Sequence, residues 1–285
     1  MTLLVFGKTG QVATELSRRA PEAWLLGRDE ADLADPRSCA AAIRAANPSA
    51  VINAAAYTAV DKAEEEEALA NLINGDAPAE MAKTCAGLGI PFVHISTDYV
   101  FDGGGTAPWK PEDPTGPLGV YGRSKLKGED GVRAAGGAYA ILRTSWVFSA
   151  HGSNFVKTML RLSETRDALS IVSDQIGGPT PAADIAAACT VIAEQLRELA
   201  SRTGTFHFAG APDVSWADFA AAIFEMAGRS VTVTGIPARD YPTPAARPAN
   251  SRMDCTSLEA TFDIPRPDWR RGLRAVLSEL DELKS

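Results

Sequence analysis

Six short apolar runs, rich in β-branched and aromatic residues and separated by longer stretches of helical periodicity, constrain this chain more than any other feature. They read as strands at Thr2–Phe6, Ala23–Leu26, Ala50–Ala55, Pro91–Ser96, Ala138–Val147 and Thr205–Phe208. Several are apolar at nearly every position, which suits a strand covered on both faces. Helical crossovers of the usual right hand would supply those covers, so an α/β fold with a doubly wound parallel sheet is expected. Asp35-Pro36 marks one helix start, a cap residue ahead of a proline at the first helical position. Ser124 and Ser153 are candidate starts of two others. Beyond Val147 the alternation loses its regularity. From Ala209 the chain reads as helix plus proline-rich coil, with Pro237, Pro242, Pro244 and Pro248 in close succession.

Composition narrows the partners. The 285 residues carry 28 Lys and Arg against 36 Asp and Glu, a net charge of −8, and 45% are hydrophobic, ample for a buried core. An acidic balance without a basic run argues against nucleic acid and anionic membrane surfaces. The apolar stretch Ala50–Ala56 falls far short of the roughly 20 residues that cross a bilayer. The start, MTLLVFGKTG, lacks the basic flank and cleavage site of a leader, so a cytoplasmic location is expected. Cys39, Cys85, Cys189 and Cys255 lie far apart with no C-x-x-C, which favours reduced thiols over zinc or disulfides. The run Glu64–Glu67, near a helix start, reads as a solvated face favoured by the helix dipole.

The first strand runs into Gly7-Lys8-Thr9-Gly10-Gln11-Val12-Ala13, and a helix follows. Gly7 suits a tight turn, Gly10 a close approach of backbone to a pyrophosphate, and Ala13 close helix–strand packing, while the helix N-terminus faces the phosphate charge. A Rossmann-type dinucleotide site is therefore expected, with a smaller α/β substrate-binding lobe beside it. The division reads as residues 1–148 and 181–209 for the dinucleotide-binding part, and 149–180 and 210–285 for the substrate lobe. About 20 residues past the glycines, where the adenosine ribose is read, stands Gly27-Arg28. Arg28, with Lys8 nearby, suits a 2′-phosphate and so NADPH; Asp29, Glu30 and Asp32 keep NADH open.

Tyr121 and Lys125 form Y-x-x-x-K at the start of a predicted helix, one turn apart on one face. A fixed ammonium beside a phenol brings its pKa toward the working range, which suits proton transfer in carbonyl reduction. Ser96-Thr97-Asp98-Tyr99 follows an apolar strand at the carboxyl edge, where open α/β sheets bind ligands, and Thr97 is placed to hold a carbonyl oxygen. His94, inside that strand, reads as a core or cofactor-packing residue.

Together these residues resemble the extended short-chain dehydrogenase/reductase superfamily and, within it, the dTDP-4-dehydrorhamnose reductases. The likeness runs along the chain in FGKTGQV (Phe6–Val12), VINAAAYTAVDKAE (Val51–Glu64), STDYVFDG (Ser96–Gly103), VYGRSKLKGE (Val120–Glu129), RTSWVF (Arg143–Phe148), NFVKTML (Asn154–Leu160), DQIGGPT (Asp174–Thr180) and YPTPAARPANSRM (Tyr241–Met253). The resemblance implies NADPH-dependent reduction, with NADH possible, of the C4 ketone of dTDP-4-dehydro-L-rhamnose, and it assigns Thr97, Tyr121 and Lys125 as the catalytic set. Cofactor contacts are implied for Gly7, Thr9, Gly10, Gln11, Val12, Arg28, Asp32, Leu33, Ala54, Ala55, Ala56, Tyr121 and Lys125. The dTDP-linked 4-keto-6-deoxy sugar would meet Thr97, Asp98, Tyr121 and Trp146, with Asn154, Gln175 and Arg247 reaching in from the second lobe. A homodimer is compatible with it.

The chain also departs from its relatives. Ala13 stands where the third glycine usually does. Some relatives carry magnesium among glutamates at a dimer contact, and only Glu279 matches, so no metal requirement is expected. Dehydratases of the superfamily place Asp then Glu after the threonine, whereas this chain has Asp98 then Tyr99. Two alternatives remain open: a reductase of another nucleotide-linked 4-keto sugar, and a non-catalytic regulatory subunit resembling the methionine adenosyltransferase β subunit. The joint presence of Thr97, Tyr121, Lys125 and Trp146 speaks against the latter.

Overall fold

The structure is a computed structural model that describes residues 2–284. Its first half alternates strand and helix: β1 (Leu3–Phe6), α1 (Gln11–Arg19), β2 (Trp24–Leu26), α2 (Pro36–Ala46), β3 (Ala50–Asn53), then α3 (Val60–Ala63), α4 (Glu67–Asn71) and α5 (Ala77–Leu88) before β4 (Phe92–Thr97). After α6 (Val120–Ala135) come β5 (Tyr139–Thr144), β6 (Val147–Phe148), α7 (Phe155–Ser163), β7 (Ala168–Val172), β8 (Ile176–Gly177), β9 (Thr180–Pro181) and α8 (Ala182–Glu198). The chain closes with β10 (Gly204–His207), β11 (Val214–Ser215), α9 (Trp216–Met226), β12 (Thr232–Ile236), β13 (Asn250–Ser251), α10 (Thr256–Phe262) and α11 (Trp269–Glu279).

All six expected strands pair in one parallel sheet, ordered β10-β5-β4-β3-β1-β2. The period of two sorts each strand between two cores. Leu3 and Val5 face α1 and α8 with Leu16, Ile185 and Ile192, while Leu4 and Phe6 face α2 and α5 with Ile43 and Met81. That double cover is why the runs are continuously apolar. The expected strand over 138–147 is interrupted at Ser145 and Trp146, because Trp146 takes a left-handed backbone with φ of 50°. The chain resumes as β6, which pairs with β9.

The later chain adds β7 with β12 and a small sheet ordered β11-β8-β13. Phe148, Val156, Phe219, Ile223, Trp269 and Leu273 form an apolar core of their own. Leu258 and Phe262 of α10, expected with that later region, pack instead against the first core. Asp35 caps α2 as anticipated. Ser124 lies inside α6, and Asn154, not Ser153, caps α7 by accepting the Lys157 N–H. Among the described residues, no helix is long and apolar enough to cross a membrane.

Candidate active site

A cleft of about 1010 Å³ opens at the carboxyl edge of the sheet. One wall starts where β1 ends. Gly7 turns the chain with φ of 116°, a conformation that side chains resist. Gly10 is the N-cap of α1 and offers no side-chain cap, so the first-turn amides of the helix lack a side-chain acceptor. A Cβ at Gly10 would meet nothing within 4 Å. An uncapped helix N-terminus with open space before it fits a pyrophosphate. Gly7, Thr9, Gly10, Gln11, Val12, Arg28, Asp32, Leu33, Ala54, Ala55 and Ala56 all line this part of the cleft. Arg28 is 82% exposed and lies 3.9 Å from Asp32, leaving its guanidinium accessible to a phosphate. Lys8 is engaged by Glu30 at 3.1 Å, and the same carboxylate accepts the Gly27 N–H.

Thr97, Asp98, Tyr121 and Lys125 meet further along the cleft. Thr97 ends β4, and its hydroxyl accepts the Tyr99 N–H while donating to Asp98. Tyr121 and Lys125 sit in the first two turns of α6. Two glycines on that helix let it lie against the chain at very short range. A Cβ at Gly122 would come within 2.2 Å of the Tyr99 carbonyl oxygen, and one at Gly128 within 2.1 Å of that of Asn74. Glu64 accepts the Val120 N–H at the start of α6, so the acidic run, expected as a solvated face, also supplies a helix cap.

Beneath α6 lies a buried polar column that strand alternation explains. His94 and Ser96 point to the same side of β4 as Phe92, toward α6. Asn53 approaches His94 Nδ1 at 3.2 Å, and Lys125 Nζ lies 3.5 Å from its Nε2 while donating to the Ile95 carbonyl at 2.7 Å. Ser96 donates to Glu129, which also receives two bonds from Arg143, at 2.9 and 2.7 Å. Arg143 and Glu129 are 2% and 0% exposed, so the Arg143 charge is compensated by Glu129, which also pairs with Arg133 at 3.1 Å.

Burial dominates the ionisation of this cluster. It pushes Tyr121 up to about 12, the Thr97 hydroxyl pulling downward and Asp98 adding upward pressure. The sequence-based expectation that the ammonium would bring the phenol toward neutrality is corrected on this point: Tyr121 is held as the protonated phenol. Burial also lowers Lys125 to about 8, against the opposing pull of Glu129, and holds His94 well below its ordinary value. Asp98 is raised by burial to about 6, and its Oδ2 lacks a hydrogen-bond partner, as does the buried Thr144 hydroxyl in the cleft wall. Such atoms want a polar ligand.

The opposite wall is thinner. Trp146 lines it, with one indole face covered by Trp216. Asn154, Gln175 and Arg247, expected to reach the substrate, lie outside the cleft lining. Asn154 caps α7 and donates to Gln11, Ser149 and His151, Gln175 is buried, and Arg247 grips Asp61 through two bonds of 3.1 and 2.9 Å. That contact depresses the Asp61 carboxyl. Ser251, whose hydroxyl helps hold Asp98 down, escaped sequence reasoning although it stands in the NSRM motif.

The family described as the RmlD substrate binding domain matches residues 1–282. The chain belongs to that family. A dTDP-4-dehydrorhamnose reductase of Sinorhizobium fredii is 48% identical over 97% of both chains, and one of Salmonella typhimurium is 40% identical over 98% of both. Among solved RmlD-family structures, a dTDP-4-dehydrorhamnose reductase of Clostridium acetobutylicum superposes with a TM-score of 0.91 at 35% identity, covering 99% of this chain and 100% of that one. The Bacillus anthracis reductase, solved in complex with NADP, gives 0.90 at 33% identity, with 98% and 100% covered.

The sequence offers Glu279 alone as a possible magnesium ligand. Here Glu279 groups with Glu15 and His151, their ligand atoms within 4.8 Å of one another. Magnesium takes an octahedral shell of oxygens. This set contributes an imidazole nitrogen 3.2 Å from Glu15, and Arg18 already binds Glu279 at 2.7 Å. The donors do not fit that ion, and no chemical step is assigned to a metal.

Proposed function

We propose that this protein reduces the C4 ketone of dTDP-4-dehydro-L-rhamnose to dTDP-L-rhamnose, with NADPH as the preferred reductant and NADH as a possible substitute. The observation that carries the proposal is the meeting, in one cleft, of Thr97, Tyr121 and Lys125 with an uncapped helix N-terminus built to receive a dinucleotide. In this reading residues 1–148 and 181–209 bind the cofactor, and 149–180 with 210–285 shape the sugar-nucleotide side.

The bound cofactor supplies the hydride. Thr97 turns its hydroxyl proton from Asp98 to the ketone oxygen and fixes the orientation of that oxygen. Tyr121, kept protonated by its burial, gives its proton to that oxygen as negative charge develops there. Lys125 holds the nicotinamide ribose and favours the phenolate left behind, its ammonium anchored on the Ile95 carbonyl. His94 and Asn53 pack behind Lys125 and restrict its movement. Asp98 and Trp146 contact the sugar nucleotide, whereas Asn154, Gln175 and Arg247 support the walls from behind.

The test is product analysis. Purified protein, NADPH and dTDP-4-dehydro-L-rhamnose generated by the upstream dehydratase and epimerase are expected to yield dTDP-L-rhamnose by chromatography and mass spectrometry. Unchanged ketone with bound cofactor contradicts the substrate assignment.

A further inference from the structure

Trp146 is the one residue other than glycine that both lines the cleft and has a left-handed backbone among the described residues, with φ of 50°. A bulky side chain rarely adopts that conformation, and it persists where the surroundings over-determine it. Three contacts do so here. The Trp146 carbonyl accepts the Thr180 N–H at 3.1 Å. Gly177 leaves room for the indole, since a Cβ there would sit 3.0 Å from Cε2 and 3.2 Å from Cζ2. Trp216 stacks on the ring, with centroids 3.6 Å apart and planes inclined by 12°.

Trp216 is itself firmly placed. It opens α9 immediately after Ser215, whose side chain and that of Asp218 form a reciprocal capping box. Val214 pairs with Gly177 across β11 and β8, so one register sets both the gap for the Trp146 ring and the indole that covers it. Behind Trp216, Phe155 lies 4.6 Å away and leads to Phe219 in the second apolar core. Trp216 does not line the cleft.

We propose that Trp216 is a positioning residue that holds Trp146 in its left-handed, substrate-ready conformation by stacking on the face turned away from the ligand. The inference rests on the reading of Trp146 as a sugar-nucleotide contact. Without the stack, Trp146 returns to ordinary backbone conformations, and binding must order it again. Substrate affinity therefore falls while cofactor affinity stays.

Two stacked indoles couple their transitions, so circular dichroism reads the pair independently of catalysis. The wild type is expected to show an exciton couplet that both W146F and W216F remove. W216A is expected to raise the KM for the sugar nucleotide by about five- to tenfold. It should lower kcat by less and leave the cofactor Kd in place, while W216F, which keeps an aromatic ring, recovers most of the loss. G177A pushes on the Trp146 ring edge with Trp216 intact; because its new Cβ also meets the Ser251 Cβ at 3.0 Å it is read beside S251A, and a KM raised beyond that of S251A is expected even if W216A proves unstable. A raised KM in W146A beside a wild-type KM in W216A and G177A overturns the positioning role alone. A wild-type KM in W146A overturns the substrate reading of Trp146, and the proposal with it.

Discussion

The wall of the cleft formed by the ends of β1, β3 and β4 and the wall formed by Thr144–Val147, which β8, β11 and β13 back without lining the cleft, follow different construction rules. In the first, every functional residue stands at or just beyond the end of a parallel strand of the main sheet, or in the first turns of the next helix. In the second, the parts are two-residue strands from distant stretches, and what matters is which of them become neighbours. The first wall carries its chemistry in residue types, the second in register. Substitutions in the first should therefore alter proton transfer or charge, and those in the second the fit of the substrate.

The largest expected contrast tests the first wall. Tyr121→Phe removes the donated proton and is expected to lower kcat by about 10²- to 10⁴-fold, with cofactor binding kept in a fluorescence titration. Arg143→Ala, beneath the same wall, leaves buried Glu129 with only the half-exposed Arg133 and the Ser96 hydroxyl as partners and is expected to cost about 3 kcal/mol in urea unfolding, rising toward about 5 kcal/mol when Arg133→Ala is added. A loss below about 1 kcal/mol, typical of exposed pairs, contradicts the buried-pair account.

Acidity provides two further tests. Lys125 is lowered to about 8, so its cation, and the support it gives Tyr121, is present below that pH and is lost as pH rises through it. The kcat/KM profile for reduction is expected to fall on its alkaline side near pH 8, and a plateau beyond pH 9 breaks the assignment. On the acid side, His207 is depressed to about 3 and His94 lies well below its ordinary value, both first through burial. The unfolded imidazoles bind protons that the folded ones refuse. Stability is therefore complete above about pH 6.5 and declines below it, by on the order of 1.4 kcal/mol per pH unit for each imidazole. Thermal unfolding between pH 5 and 7 measures the net slope, from which the proton that folded Asp98 takes up near pH 6 subtracts. The smallest expected effect is Arg28→Ala, which should raise the KM for NADPH about tenfold or less and leave NADH nearly unchanged, as befits an exposed phosphate contact.

Legibility in the sequence followed the same division. Gly7, Gly10, Thr97, Tyr121 and Lys125 were readable because strand–turn–helix spacing and one-turn spacing are local rules, and the sheet that carries them declared itself in continuous apolar runs. The break at Trp146 and the pairing of β11 with β8 depend on contacts between segments far apart in the chain, which periodicity does not encode. Arg247, which the resemblance implies meets the sugar nucleotide, is bound by Asp61, a pairing between distant segments that no local pattern encodes. The phenol was expected to move toward the working range because spacing reveals the ammonium but not the burial around the phenol, and burial raises it instead.

The central claim is that this cleft reduces a nucleotide-linked 4-keto sugar with Tyr121 as the proton donor. The most direct measurement is the loss of reduced-nicotinamide absorbance when wild-type protein and Tyr121→Phe each meet dTDP-4-dehydro-L-rhamnose and NADPH. The expected result is rapid oxidation by the wild type and almost none by the variant, with equal cofactor binding. Comparable oxidation by both would contradict the account.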